Sequence, residues 1–211
     1  MGRNTLTILA LLTMSSIWAQ SPVIGLFEGE EYGETYNAYY KDTQGDLDKF
    51  VGTWLWSKDS VSWKIELRLL KEELIVFNLN NKEHRHYTDL LIGEMVYTEN
   101  GKELINLLGR FADPDVENWG FSITGNDIFG STSIPICDYC SDSERRVSVY
   151  LEDPNFNYIR NKAVLRHVIS NGQETIQLNL RQMYVYDEDN PNPDAPALLT
   201  MQYGTYTLVK Q

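Results

Sequence analysis

The only two cysteines in the chain, Cys137 and Cys140, form a Cys-x-x-Cys pair. Such a pair can close a short disulfide, act in redox exchange or supply half of a zinc site. Redox pairs open a helix, whereas residues 134–136 indicate a strand end or a loop, and the sequence specifies no further zinc ligands. Because the N-terminus described below indicates export to an oxidising compartment, we predict a disulfide that staples a loop.

Two histidines, His84 and His86, are candidate metal ligands because residues two apart on a strand point to the same side. His167 or Asp89 could supply a third ligand, but nothing in the sequence ties either of them to the pair. A solvated strand end is the alternative interpretation, since the polar residues 80–83 come directly before. The sequence therefore specifies no metal site, and it indicates no cofactor.

Three acidic segments, which begin at Asp113, Asp153 and Asp187, resemble the start of a calcium-binding loop. The first lacks the glycine that an EF-hand has at its sixth position, and the second has Tyr158 there. The third has Pro191 at its fifth position. None of them is an EF-hand, and whether these loops bind calcium stays open.

Hydrolase motifs are absent: the chain contains no Gly-x-Ser-x-Gly, no His-Glu-x-x-His and no glycine-rich phosphate loop. An enzyme whose site is built from acidic residues across strands is the alternative, because the chain has 30 acidic residues. Such a pair is defined by its separation in space, which a sequence does not give. The sequence does not indicate an enzyme, and we expect none.

Four aromatic residues, Trp54, Trp56, Trp63 and Tyr97, are the candidate ligand-binding residues. Trp54 and Trp56 share one face of their predicted strand, and such rings can line a barrel interior and hold an apolar or flat ligand. Core packing is the alternative, because large aromatic side chains also fill small barrels. Whether the interior is open or packed separates the two interpretations.

Strands are the elements that must position these residues. The clearest strand alternates apolar and polar side chains over residues 61–69, as expected of a half-buried antiparallel strand. The dipeptides Asn100-Gly101 and Asn171-Gly172 each lie between two apolar runs and predict tight hairpin turns. Residues 187–196 predict a surface loop before a last strand. The remaining predicted strands cover residues 53–57, 74–79, 86–97, 103–108, 119–124, 147–151, 163–168, 175–185 and 201–209.

This succession of strands, without a convincing long helix, predicts an all-β domain whose antiparallel strands form an up-and-down meander over residues 50–211. A meander of about nine strands must close on itself or cover its edges, so we expect a lipocalin-like barrel or a strongly curved half-barrel. Residues 20–49 are acidic and rich in tyrosine, and we expect them to form an N-terminal arm or a short helix laid on the domain.

The first 19 residues have the order of a secretory signal peptide: Arg3, an apolar run over residues 6–14, and small or polar residues up to Ala19. The apolar run is shorter than the roughly 20 residues that a membrane-spanning helix needs, and no later run is longer. We predict cleavage after Ala19, an exported protein that is periplasmic or extracellular, and no membrane span.

Gly52 and Trp54 open the first predicted strand with a Gly-x-Trp motif, which resembles the start of lipocalin, fatty-acid-binding and avidin-type barrels. In those families the tryptophan packs across the closed end of the barrel, and a late-strand arginine often lies against it. Arg181 is the nearest candidate for this arginine, but the alternation of its strand turns it away from the interior.

A broader resemblance, to a family of exported bacterial proteins of unknown function, rests on residues 48–54 and on the hairpin that contains Gly93, Tyr97, Asn100-Gly101 and Glu103. This resemblance spans most of the chain after residue 19. It implies the fold class and export, and it brings no known activity or functional residues.

The charge of the chain limits the classes of partner that it can bind, because the formal net charge is −12 and the isoelectric point is about 4.6. Nucleic acids and anionic lipid surfaces repel such a protein. The sequence leaves the function unknown. We expect a non-catalytic binding protein that holds a small apolar ligand or an envelope partner, and the alternatives are the enzyme described above or a structural module with a filled barrel.

Overall fold

The computed structural model describes residues 21–27, 32–185 and 199–211. The predicted signal peptide and the predicted loop over residues 187–196 lie outside these ranges. The described residues contain strands and short 3₁₀ turns but no α-helix, so the all-β class is confirmed. Nothing helical in these ranges is long and apolar enough to cross a membrane. The strands are β1 (Val23–Gly25), β2 (Tyr39–Lys41), β3 (Gly52–Lys58), β4 (Val61–Leu79), β5 (Lys82–Glu99), β6 (Lys102–Asn106), β7 (Ile123–Phe129), β8 (Arg146–Leu151), β9 (Ile159–Ser170), β10 (Gln173–Val185) and β11 (Gly204–Lys210).

Eight of these strands are hydrogen-bonded in a closed ring, in the order β5-β4-β3-β11-β10-β9-β8-β7 and back to β5. Every neighbouring pair in the ring is antiparallel, and the order follows the chain except that β6 lies outside the ring beside β5. The expected succession of antiparallel hairpins is therefore present.

One edge of β5 serves three partners in turn, because this strand is 18 residues long. It pairs with β2 at Tyr87 and Thr88, with β7 at residues 91–93, and with β6 near its end. The pairing with β2 is parallel, and β1 adds to β2 in the same sense. The predicted N-terminal arm thus extends the sheet with two short strands, and the only helical turn among its described residues is the 3₁₀ turn at Asp48–Phe50.

Hairpin turns are set by residues that tolerate positive φ angles. Asn100 and Gly101 have φ angles of 51° and 75°, and Asn171 and Gly172 have 52° and 78°, so both predicted turns are confirmed. A third turn of the same kind, at Asn80-Asn81, joins β4 to β5 and was not predicted.

Two strand predictions need correction. The predicted strands 61–69 and 74–79 are one strand, β4, which continues through a bulge where Glu72 has a φ of 56°. The predicted strand 119–124 is wrong at its start, because Asn118–Gly120 is a 3₁₀ turn and β7 begins only at Ile123. Arg110 donates a hydrogen bond to the carbonyl of Gly120, which holds this segment away from the ladder.

The main core fills the inside of the ring, where inward-facing side chains of all eight strands meet. Its largest fully buried members include Trp54, Trp63, Leu91, Met95 and Leu165. A smaller cluster lies on the opposite face of β5, under the segment between β6 and β7. Its members are Leu70, Leu90, Ile92, Phe111, Val116 and Phe121.

Candidate ligand-binding cleft

Trp54, the first of the four predicted ligand-binding residues, is fully buried inside the ring. Its indole Nε1 donates a 2.8 Å hydrogen bond to the carbonyl of Phe50, and its ring meets the edge of His167 at a centroid distance of 6.1 Å. The ammonium of Lys210 lies 5.4 Å from the ring centroid. The late-strand cation beside this tryptophan is therefore Lys210, whereas Arg181 points outward and donates to Asn179, as its place in the alternation predicts.

Two of the other three predicted residues, Trp56 and Trp63, pack against Tyr206 of β11, which the sequence reasoning missed. Trp56 and Trp63 each meet the Tyr206 ring edge-on, at centroid distances of 4.9 Å and 5.0 Å, and Tyr97 lies 6.5 Å from Trp63. Burial raises the pKa of Tyr206 to about 12. The alternation of Tyr206 with Leu208 was the signal that could have placed it inside.

The interior of the ring is packed. The cavity that remains between Trp54, Leu178 and Leu208 has a volume of about 10 Å³. A water molecule needs about 10–15 Å³ of such space, and an apolar cavity of this kind offers it no polar partners. Trp54 borders this void, while Trp56, Trp63 and Tyr97 fill one end of the core. Ligand binding by these four residues stays a prediction, and the void beside Trp54 is too small for a ligand.

The outer face of β7, β8 and β9 carries a cleft instead. Two adjoining cavities, of about 400 Å³ and 280 Å³, share the rings of Trp119 and Tyr150 as lining. Tyr150 points outward because Val149 and Leu151, its neighbours on β8, point into the core. Trp119 lies on the 3₁₀ turn before β7, and the two side chains are 44% and 52% exposed.

The larger cavity has paired charges and a fixed amide on its walls. Lys162 of β9 and Asp127 of β7 form an ion pair at 3.2 Å across the intervening strand β8. The side-chain nitrogen of Asn126 donates to Thr88 at 2.8 Å and to the hydroxyl of Tyr32 at 3.1 Å, which ties this wall to the N-terminal arm. Both polar groups and apolar surface therefore face the same space.

The smaller cavity repeats this pattern. Arg160 and Glu152 form an ion pair at 3.4 Å, and both side chains are partly exposed. Asn161 is buried, donates to the carbonyls of Leu151 and Ile159 at 3.2 Å each, and accepts a 2.9 Å hydrogen bond from Tyr203. Its amide is consequently held in one orientation at the base of the cavity.

Gly125 allows the backbones of β7 and β8 to approach closely beneath the larger cavity. A Cβ atom at this position would lie 2.7 Å from the carbonyl oxygen of Ser148 and 2.7 Å from the Cα of Val149. Both are backbone atoms and cannot move aside as a flexible side chain can. The shape of this wall therefore depends on glycine.

Glu94 is the carboxylate with the most unusual environment near the cleft. Its side chain is fully buried, and its Oε1 accepts from Arg110 at 3.0 Å and from the backbone N–H of Ser122 at 3.4 Å. Burial raises the pKa of Glu94, against the opposing effect of Ser122 and Arg110. Its Oε2 has no hydrogen-bond partner in the part of the chain that the structure describes. Glu94 does not itself line either cavity, so it is placed to hold the segment from Arg110 to Ser122 against the sheet.

The predicted histidine pair lies elsewhere, where the N-terminal arm covers β4 and β5. His84 stacks on Phe77 at a centroid distance of 5.0 Å, whereas His86 is buried against the edges of Tyr32 and Tyr40. Neither ring nitrogen of His86 has a hydrogen-bond partner among the described residues, and burial lowers the pKa of His86. His167 bonds instead to Glu174 at 3.3 Å.

Two further groups that the sequence singled out as potential ligands have structural partners. Asp89 accepts hydrogen bonds from the hydroxyl of Tyr39 and from the backbone N–H groups of Asp42 and Glu72. Asp153 accepts from Asn155 and Thr200. Within residues 21–27, 32–185 and 199–211, no three His, Cys, Asp or Glu side chains are grouped as a metal site would require.

Cys137 and Cys140 are joined by a disulfide in the loop between β7 and β8. The guanidinium of Arg146 organises the same loop, because it donates hydrogen bonds to the carbonyls of Gly130, Ser131, Ser133 and Pro135. This loop lies on another part of the surface from the cleft, beside Arg166 and Arg181.

A family model described as a family of unknown function, DUF6705, matches residues 1–211, which confirms the expected membership of such a family. Export of the chain and the lipocalin-like character of its opening strand stay predictions. No curated protein and no solved structure matches the sequence.

Proposed function

Because the chain belongs to DUF6705, a family of unknown function, its role has to be inferred from its geometry, and we propose that it is an exported, non-catalytic binding protein. In this proposal the ligand or envelope partner occupies the outer cleft on β7, β8 and β9. The observation that carries the proposal is the contrast between an interior void of about 10 Å³ and outer cavities of about 400 and 280 Å³.

The scaffold in this proposal is a filled, lipocalin-like barrel. Its support is the closed ring of eight antiparallel strands, together with the Gly-x-Trp opening whose Trp54 packs under a late-strand cation. Because the interior is packed with apolar side chains, this scaffold differs from a lipocalin that holds its ligand inside. In this proposal the ligand binds on the outside of the barrel wall, and the packed interior stabilises the fold.

Binding without catalysis is favoured by the bonding of the carboxylates around the site. Asp89 and Asp153 each accept several hydrogen bonds from their own surroundings, and Glu94 is enclosed against Arg110 and Ser122. The carboxylates that do reach the cleft, Asp127 and Glu152, are paired with cations. None of these groups resembles a general acid held ready beside a second carboxylate.

Export is proposed from the first 19 residues. Mass spectrometry of the protein from its native host should find a chain that begins near Gln20. An intact Met1 in a cytoplasmic fraction would remove export from the proposal.

A backbone-amide NMR screen tests where ligands bind. Laurate, a hexasaccharide and a mixture of short peptides represent the apolar, polar and peptide classes of ligand. The proposal expects saturable shifts at Tyr150, Asp127 and neighbouring amides with at least one of these probes, and those shifts should vanish in Tyr150→Ala.

Tyr139→Ala is the matched control for that screen, because Tyr139 is an aromatic side chain 75% exposed in the disulfide loop, away from the cleft. Saturable shifts confined to the interior, at residues such as Ile176 and Leu208, would overturn the proposed site.

A further inference from the structure

The chemistry of the cleft identifies the class of its ligand. Trp119 and Tyr150 present exposed rings, and within the described part of the chain neither ring packs against a second aromatic ring. A flat, exposed ring with polar groups beside it is complementary to a molecule that has a C–H face and a rim of hydroxyl groups. A pyranose ring has both.

The charges of the cleft point to a neutral ligand. Each of its two cavities has one cation and one anion on its wall, and in each case they are paired, Lys162 with Asp127 and Arg160 with Glu152. These four side chains contribute no net charge to the cleft. All four are exposed to solvent, so a hydroxyl group can replace part of an ion-pair contact with a hydrogen bond at little cost.

Other ligand classes fit less well. An aliphatic chain laid along the cleft would remove four charged side chains from water without hydrogen bonds, which is unfavourable. A polyanion would meet a protein of net charge −12 whose cleft cations are already paired. The hydroxyl groups of a sugar both donate and accept, and they match the mixture of ammonium, guanidinium, amide and carboxylate groups on the walls.

The extent of the cleft sets a minimum length. Trp119 and Tyr150 border both cavities, so each ring stands between two spaces rather than at the end of one. A ligand that occupies both cavities must therefore be longer than one pyranose ring. The two cavities then act as neighbouring subsites.

We propose that the cleft binds a neutral oligosaccharide of at least two pyranose rings, with Tyr150 and Trp119 between its two subsites. This inference rests on the proposed function and adds the ligand class. Lys162, Asp127, Arg160 and Glu152 then contact the hydroxyl groups, and the aromatic rings contact the sugar C–H faces.

Isothermal titration calorimetry of the full exported chain tests the inference with cellohexaose, maltohexaose, xylohexaose and N-acetylchitohexaose, each against its own monosaccharide. At least one hexasaccharide should bind, with an affinity at least about tenfold above that of its monosaccharide, because only the longer molecule fills both subsites. Its affinity should change little between low and high salt, since a neutral ligand releases no counterions.

Variants distinguish a loss of sugar contacts from a loss of folding. Tyr150→Ala and Trp119→Ala should each lower the affinity about tenfold or more, which is the loss expected when a central aromatic contact is removed. Tyr139→Ala should leave it unchanged. Because all three side chains are exposed, circular dichroism melting curves should match those of the wild type and exclude unfolding as the cause.

The outcomes that overturn the inference are distinct from those that overturn the proposed function. If no hexasaccharide binds but laurate or a peptide shifts the amides at Tyr150, the cleft is a binding site and the sugar assignment is wrong. If a hexasaccharide binds and Tyr150→Ala does not weaken it, the assignment to this cleft is wrong. If probes bind only inside the ring, both proposals fail.

Discussion

The inner and outer faces of one strand, β8, differ in what they contribute to the protein. Val147, Val149 and Leu151 face inward, are buried, and help to reduce the interior void to about 10 Å³. Tyr150 lies between two of them in the sequence, faces outward, and borders cavities of about 400 and 280 Å³. Since alternate residues of a strand face opposite sides, a single strand can supply stability on one face and a binding surface on the other.

Removal of the Trp54 indole from the inner face should cause the largest loss of stability. Trp54→Ala would open a cavity in a packed core, and we expect a loss of about 3–5 kcal/mol in the free energy of unfolding. Chemical denaturation followed by fluorescence measures it. A variant that melts like the wild type while losing ligand affinity would show that Trp54 lines an open pocket, contrary to the packed interior.

A smaller effect is expected where the inner and outer faces meet, at Gly125. Gly125→Ala places a Cβ 2.7 Å from two backbone atoms of β8, and overpacking of this kind costs about 1–3 kcal/mol. Gly109→Ala is the matched control, because a Cβ there meets nothing within 4 Å. Equal melting temperatures for the two variants in calorimetry would contradict the close approach of the β7 and β8 backbones at Gly125.

The disulfide loop should contribute less to stability and nothing to binding. Double replacement of Cys137 and Cys140 by serine opens a very short loop, so the expected loss is about 2 kcal/mol or less. Thermal melting measures the loss, and thiol labelling of the folded wild-type protein should find neither cysteine reactive. Two readily alkylated thiols, or one equivalent of bound zinc, would contradict the disulfide.

Acidification provides a comparison between the N-terminal arm and the ring. Burial and the nearby His84 lower the pKa of His86 in the folded protein, and the rings of Tyr32, Tyr40 and Phe77 enclose it. The folded state therefore binds fewer protons than the unfolded state, so stability is complete above the ordinary histidine pKa of about 6.5 and falls as pH drops below it towards the lowered pKa.

His86→Phe isolates that contribution, because it keeps an aromatic ring and removes the proton. Between neutral pH and mildly acidic pH, the wild type should lose more stability than this variant, as measured by urea denaturation at each pH. His84→Phe should remove only the smaller part of the effect, since burial is the larger cause of the lowered pKa of His86 and the nearby His84 is the lesser one. Parallel pH profiles for wild type and His86→Phe would show that His86 does not couple the arm to pH.

The parts of the fold that could be predicted are those that depend on local pattern. The alternation in residues 61–69 and the Asn-Gly dipeptide at Asn100 fix strand faces and turn types, and both agree with the structure. The attachment of β2 to β5 could not be predicted, because it pairs Tyr39 with Tyr87 across distant parts of the chain. The arm also lacks the alternation that identifies a strand.

The cleft was harder to predict than the core for the same reason. The outward direction of Tyr150 follows from the alternation of β8, and that signal was present in the sequence. Trp119 was assigned to a strand, whereas it lies on a 3₁₀ turn whose position depends on the contact of Arg110 with Gly120. The meeting of Trp119 with Tyr150 requires the pairing of β7 with β8 through a bulge between Thr124 and Asp127.

Xenon binding to crystals under pressure tests the packed interior most directly, because xenon enters dry apolar cavities that water does not fill. Because the void between Trp54, Leu178 and Leu208 is only about 10 Å³, the interior of the eight-stranded ring should contain no xenon in the wild-type protein. Leu178→Ala, which enlarges the same void, should contain it and serves as the positive control. Xenon density inside the wild-type ring would contradict the packed interior and return the interior aromatic residues to the role of ligand-binding residues.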